Sequence, residues 1–462
     1  KLCNLFTNFT MFAAVRTARQ QTIVGLAASA QIAPMSTRSA GSAANSKVAA
    51  AAVAAAVTAA VMAKSASCES MAVTLESIKK DLEAIKGALG VSEFEMQAKL
   101  DLVKSIKVTN PTNLTAKHFN LDYYNSLPAA GKKALLAICN SGIQNADSGM
   151  GCYAMNPGDY DDYLPFFEAV IKDYHGVTGE VKHVTNWDLS TPKIAAKLPP
   201  GGKLDLTKLG LGTTSMRVRV GRNLASFPLP GAMTKDDRVN MESAMVEAFK
   251  KMIADPKFGG SYYSLTPGSP YEITPAFYKE LVKKHIMFKD MSDDSYLADA
   301  GIASDWPFGR GVYVSADKEF IVWCGEEDHL RIMCMKKGTV LNDVFDRLKD
   351  ACGVVEANAS KFAHSKKFGY VTSCPTNLGT GMRASLHIKC PNLCKDGSDA
   401  KPKAICKPLG LSVRGLGGEH TPIGADGTID ISPSARLMIE EAEIICALYE
   451  GIERVLAAEA KA

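Results

Sequence analysis

Gly369-Tyr-Val-Thr-Ser-Cys-Pro-Thr-Asn-Leu-Gly-Thr-Gly-Met-Arg-Ala-Ser-Leu-His-Ile-Lys389 is the stretch on which the reading of the fold turns. It holds two short strand candidates, Gly369-Tyr-Val-Thr372 and Ser385-Leu-His-Ile388, rich in β-branched or aromatic residues and bounded by turn formers. Upstream the same pattern recurs in Gly311-Val-Tyr-Val-Ser315, Phe320-Ile-Val-Trp323 and Leu330-Arg-Ile-Met333. Helical patterns lie among these strands, from Asn342 to Cys352 and from Ser434 to Ala457. The C-terminal half therefore predicts an α+β domain, residues 209–462, with a mainly antiparallel sheet flanked by helices.

Towards the N-terminus the periodicity changes. Leu75, Ile78, Leu82, Ile85 and Leu89 step by three and four and share one helical face, while Ser92 with Glu95 forms a capping-box pattern for a second helix through Leu100 and Val103. Helical spacing continues to about residue 180, which predicts a small all-helical domain over 69–185. Thr191-Pro192, Pro199-Pro200 and Gly201-Gly202 then mark a linker at 186–208.

Composition places the whole among globular proteins: 462 residues, 46% apolar and 22% charged. The net charge of +4 is unevenly spread. Residues 1–68 hold six of the 53 basic residues and no acid, so the remainder carries 47 basic against 49 acidic residues, close to neutral. This excludes a nucleic-acid partner attracted by general charge. Arg16, Arg19 and Arg38 among Ala, Ser and Thr read as a targeting presequence. Followed by the uncharged run 48–63, the pattern is that of mitochondrial import, with the intermembrane space as one destination; a cytoplasmic location is expected if the leader is not genuine. That run is shorter and more alanine-rich than a permanent membrane span requires. The twelve cysteines show no C-x-x-C pair and the eight histidines no metal-ligand spacing.

Standard nucleotide signatures are missing. There is no P-loop; Gly415-Leu-Gly-Gly-Glu-His420 fails the dinucleotide pattern at its last position; neither H-R-D nor D-F-G occurs. Five other segments combine charge with strand or loop context: Met216-Arg-Val-Arg219, Glu326-Glu-Asp-His-Leu-Arg331, Cys374-Pro-Thr-Asn-Leu-Gly-Thr380 running on to Arg383, Arg414-Gly415, and Gly418-Glu-His-Thr421. Arg217 and Arg219, two apart, share one strand face. Taken together these segments resemble the phosphagen kinases, the ATP:guanidino phosphotransferases, over residues 85–462. The short stretch Asp147-Ser-Gly-Met-Gly-Cys-Tyr153, Tyr174 and Glu419 are similar to the arginine-specific branch.

The resemblance implies a helical guanidino-substrate domain followed by an ATP-binding domain of the phosphagen kinase and glutamine synthetase-like type. The implied reaction is reversible transfer of the γ-phosphoryl of Mg²⁺-ATP to L-arginine, giving ADP and phosphoarginine for energy buffering. Arg217, Arg219, Arg331, Arg383 and Arg414 match the phosphate-binding arginines, whose planar fork grips phosphate oxygens. His285, His387 and Asp430 match adenine or ribose contacts. Glu326 matches an organiser of Mg²⁺ acting through water, with no direct metal ligand implied. Glu327 and Glu419 match the carboxylate pair that holds the guanidinium and accepts its proton. Cys374 matches a thiolate that positions it, while Ser148, Gly149, Met150, Gly151 and Tyr153 match the contacts to the amino-acid end.

Departures from the pattern concern Gly325, expected to loosen the support of Glu326 and Glu327; Leu416 and Gly417; and Asp290 to Ser295, which lack the arginine that pairs with Asp147 in many relatives. Taurocyamine or another guanidine is the alternative acceptor, and an inactive structural or membrane-bridging relative is the alternative of another class. The oligomeric state stays open.

Overall fold

The alternation Met216-Arg-Val-Arg-Val220 sets the architecture. Met216, Val218 and Val220 are buried on one face of the strand, and Arg217 and Arg219 turn to the other. The computed structural model describes residues 91–415 and 422–462. The leader 1–68, the apolar stripe 75–89, and Leu416, Gly417 and Glu419 lie outside the described residues. The chain divides into Lys1–Phe94 and Glu95–Ala462, and within the second unit helices and sheet pack together.

The strands in chain order are β1 (Thr214–Arg222), β2 (Ser261–Ser264), β3 (Gly311–Val314), β4 (Phe320–Cys324), β5 (Leu330–Gly338), β6 (His364–Ser365), β7 (Gly369–Tyr370), β8 (Met382–Lys389), β9 (Leu411–Arg414) and β10 (Thr428–Pro433). Eight form one sheet in the order β2-β3-β4-β5-β1-β8-β10-β9, with antiparallel neighbours throughout, and β6 pairs with β7. Against the apolar face lie the helices Lys235–Ala254, Leu341–Asn358 and Glu441–Glu459, which contribute Phe249, Phe345, Leu348, Ile445 and Ile452 to a core shared with Met216, Val218 and Val220. Thr234 and Asp237 close a capping box at the start of the first of these helices.

The other core joins the helical region to the opposite face of the sheet. Phe166, Phe167 and Val170 of helix Leu164–His175 belong to the same cluster as Val312, Ile321 and Met333. A helical N-terminal part followed by a larger part with an antiparallel sheet is therefore the observed fold. Residues 186–208 are anchored: Ile194, Leu204 and Leu206 are fully buried, Asn186 donates its backbone N–H to Glu441, and Lys193 and Lys197 pair with Glu443. Two boundaries differ from expectation. Of Gly369–Thr372, the first two residues alone enter a ladder, and the C-terminal helix begins at Glu441, with Pro433 still in β10. Among the described residues no helix is long and apolar enough to cross a membrane.

Candidate active site

Because β1 lies between β5 and β8, its two outward arginines have neighbours of the same kind. Arg219 faces Arg383 across the β1–β8 pair, and Gly221 faces Arg331 across the β1–β5 pair. On the far side of β8, Asp430 of β10 faces His387 and also Arg414 of β9. The register thus gathers Arg217, Arg219, Arg331, Arg383 and Arg414 onto one wall of a cavity of about 670 Å³, which His285, His387, Asp430 and Glu326 also line. All eight residues expected at the nucleotide are in this one place.

Crowded cations in a partly dry site are costly, and the arginines register it. Burial, then the charge of Arg331, pulls Arg217 down to about 10. Burial, with Arg331, Arg217 and Arg383 beside it, holds Arg219 well below the usual guanidinium range. Arg383 is drawn to about 10 mainly by burial, although its Nη2 lies 2.8 Å from Asp430 and its Nε donates to Ser432 Oγ at 3.0 Å. Arg331 Nη2 meets Glu326 at 2.8 Å. Two carboxylates, Glu326 and Asp430, pair with two of the five guanidiniums, and the excess positive charge suits a polyanionic ligand.

The acceptor side is built on turns. Glu326 and Glu327 sit in the β4–β5 connection, which starts at Gly325. That residue has φ +76°, and a Cβ there would lie 2.3 Å from the Gly309 carbonyl oxygen. The loosening expected at Gly325 is not what is found: its N–H donates to His329 O at 2.8 Å and its carbonyl accepts from Arg310 Nε at 3.2 Å. Burial, with Asp328 and Glu326 adding to it, pushes the Glu327 carboxyl up to about 7, against the pull of Arg331 and Arg219. Asp328, missed as a functional residue, turns inward. One of its oxygens accepts from Asn223 Nδ2 and from the Ser373 N–H, each at 2.7 Å, tying the turn to the loop of Cys374.

Cys374 is buried beside Glu327, and burial followed by that carboxylate raises its pKa far above the ordinary thiol value. The thiolate expected from the sequence is therefore not the form this surrounding favours; the protonated thiol shares a hydrogen bond with Thr376 Oγ1 at 3.1 Å. Tyr153 lies nearby, its phenol raised by burial and then by Cys374 and Glu327. Ser148 to Gly151 rest on the helical shelf: the carbonyls of Gly149, Met150 and Gly151 accept from the N–H groups of Leu114, Thr115 and Gly142. Gly151, at φ +76°, lies so near Gly142 that a Cβ would sit 2.5 Å from its Cα. Glu327, Cys374, Tyr153 and this loop are not part of the cavity wall formed by the arginines.

Two further residues were overlooked in the sequence. Tyr296 OH donates to Asp147 at 2.9 Å, taking the place of the missing arginine. Arg436, buried near Glu327 and Cys374, donates to Thr376 O at 3.4 Å. Among the described residues no group of three or more His, Cys, Asp or Glu is arranged to hold a metal ion. Glu326 is one of the carboxylates on the cavity wall, set beside Arg331, which fits a cation that arrives on phosphate oxygens and meets the protein through water.

Residues 240–462 match the family model for the C-terminal catalytic domain of ATP:guanido phosphotransferases, and residues 109–172 match the model for the N-terminal domain. An arginine kinase (Oct f 2) of Amphioctopus fangsiao is 37% identical over 356 residues, 75% of this chain and 94% of the relative. A taurocyamine kinase of Schistosoma mansoni is 40% identical over 303 residues, 65% of this chain and 38% of that protein. The substrate-free duplicated taurocyamine kinase of Schistosoma mansoni superposes with a TM-score of 0.66 at 32% identity, covering 78% of this chain; the chain spans about half of that duplicated protein, 49%.

Proposed function

The chain belongs to the ATP:guanido phosphotransferase family, a family of kinases, and from that premise we propose that it is an arginine kinase, transferring the γ-phosphoryl of ATP reversibly to L-arginine. The observation that carries this reading is the convergence of five strand-borne arginines on one cavity, with the raised carboxyl of Glu327 at the adjoining turn.

Phosphoryl transfer needs charge held in place and reactants held in line more than covalent help. Arg217, Arg219, Arg331, Arg383 and Arg414 hold the phosphates, and His285, His387 and Asp430 hold the nucleoside end. Mg²⁺, when bound, neutralises phosphate charge, with Glu326 as its water-mediated partner. The acceptor is a guanidinium with a pKa above about 12, and so a poor nucleophile. Glu327 aligns it and accepts its proton; a carboxyl already raised by burial takes that proton more readily than an exposed one. Glu419 is assigned as its partner carboxylate. The Cys374 sulfur positions the guanidinium, whose own positive charge favours the thiolate that the apo site disfavours. Backbone N–H groups over 148–151 receive the α-carboxylate, and Tyr153 the α-amino end.

Taurocyamine is the second reading, favoured by the 40% identity of the Schistosoma relative. A coupled assay of the full chain with arginine, taurocyamine, glycocyamine and creatine tests both: arginine is expected to give the highest kcat/KM, and a preference for any other guanidine overturns the first reading. We also assign the chain to mitochondria on its Arg-rich leader; recovery solely in cytosol on cell fractionation overturns that.

A further inference from the structure

Arg222 closes β1 in the phase of Met216, Val218 and Val220, so its side chain enters the apolar side of the sheet and not the cavity. It is 1% exposed. A buried guanidinium is unfavourable unless its surroundings compensate it. The Phe362 ring, 5.7 Å from Cζ, and the buried Glu441 carboxylate supply part of the compensation, and the closest contacts outside β1 come from one short segment. Cζ lies 3.5 Å from the centroid of the Tyr370 ring, and Nη1 donates to Thr380 O at 2.8 Å, as well as to Gly221 O at 2.8 Å. Nε and Nη2 make no hydrogen bond to the protein.

Tyr370 and Thr380 are the two ends of one loop. The Tyr370 N–H donates to Gly379 O at 2.8 Å, which draws residues 371–378 into a closed excursion with Cys374 inside it. Gly381 shows how tightly the neck fits: at φ +57°, a Cβ there would lie 2.9 Å from Arg222 Nη1. The excursion has two other charged anchors described above, Asp328 at the Ser373 N–H and Arg436 at the Thr376 carbonyl, and neither of these side-chain contacts is at its neck.

We propose that Arg222 is a positioning residue: its guanidinium, stacked on Tyr370 and bonded to Thr380, clamps the neck of the loop that presents Cys374 to the guanidino substrate. Lysine keeps the charge but loses the planar face that stacks and the fixed fork that reaches the carbonyl. The significance of the clamp for turnover rests on the proposed placement of Cys374 at the substrate; the clamp itself does not.

The test is alkylation of individual cysteines by iodoacetamide, followed by peptide mass spectrometry on the full chain without substrates. In Arg222→Lys and in Tyr370→Leu, Cys374 is expected to react about tenfold faster than in the parent, while Cys334, buried in β5, keeps its parent rate. Tyr370→Phe retains the ring face and is expected to match the parent. For turnover, both disruptive variants are expected to lose about ten- to a hundredfold in kcat with the nucleotide KM nearly unchanged. A Cys374 rate unchanged in both disruptive variants overturns the proposal. So does an equal acceleration of Cys374 and Cys334, which is general loosening, or a Tyr370→Phe protein that behaves like Tyr370→Leu. If Arg222→Lys does not fold, the Tyr370 pair decides. If the parent phosphorylates no guanidine, the functional reading falls while the alkylation contrast still judges the clamp.

Discussion

The two sides of the site are held by different means. The arginines stand on four strands of one sheet, where Arg219 faces Arg383 and Asp430 faces Arg414 through ladders of backbone hydrogen bonds. Glu327, Cys374, Tyr153 and residues 148–151 stand on turns and loops, tied by single contacts such as Asp328 to Ser373 and Gly142 to Gly151. On the proposed reading the sheet side serves the phosphates, which every member of the family handles, and the loop side serves the acceptor. A loop can change length or side chain without disturbing a ladder, so acceptor choice sits where alteration costs least.

The contrast breaks most sharply at Glu327. Replacing it with Gln keeps shape and removes the base, so kcat for the forward reaction is expected to fall about a thousandfold while the arginine KM changes little. Steady-state kinetics check this, and an unchanged kcat removes Glu327 from the role of base. On the sheet side Arg219→Lys retains charge and loses the fork; a fall of about a hundredfold in kcat/KM for the nucleotide is expected. If that variant instead alters guanidine selectivity, the division between sheet and loops is wrong.

A pH profile sharpens the same comparison. Because burial and acidic neighbours raise Glu327 to about 7, the base is lost to protonation as pH falls through that region. The acid limb of kcat/KM is expected near neutrality. Asp328 is the first acidic neighbour raising Glu327, so Asp328→Asn lowers the Glu327 pKa and moves that limb to lower pH. A limb that stays in place assigns it to another group.

Short β-branched and aromatic runs bounded by turn formers made β3, β4, β5 and half of β8 legible, and the two-residue spacing put Arg217 and Arg219 on one face of a strand, because side-chain direction in a strand follows from spacing. The meeting of Arg331, Arg383 and Arg414 with that pair depends on register between strands distant in sequence, which spacing does not encode; resemblance to a family supplied it. The helical pattern was read from Ser434 to Ala457, yet the Arg436 carbonyl is taken by Thr380, so residues 434–440 serve as an anchor for the Cys374 loop and the helix waits until Glu441. Asp328 was visible as an acid beside Glu327. That it turns inward was not, since a turn has no fixed alternation. Burial and Glu327 are what the Cys374 sulfur meets without substrate, and neither is legible in the motif Cys374-Pro-Thr-Asn-Leu-Gly-Thr380, where the arginines are the evident charges.

The mildest prediction concerns the loop side alone. Tyr296 belongs to helix Ser295–Asp299, which is bonded to the segment beneath the substrate loop at three further places: Asn140 Nδ2 to Asp299 O, Ser141 Oγ to Tyr296 O, and Asn145 Nδ2 to Asp299 Oδ2, each at 2.8 Å. Asp294 and Leu297 of the same region line the arginine cavity, so this short helix touches both sides of the site. Tyr296→Phe removes the hydrogen bond to Asp147 and leaves the other three. An exposed phenol–carboxylate bond is worth about 1 kcal/mol, so the arginine KM is expected to rise about three- to fivefold with kcat nearly constant. Measuring that KM at low and at saturating ATP extends the test: a larger rise at saturating ATP marks Tyr296 as a coupler of the two sides, whereas equal rises confine its influence to the loop.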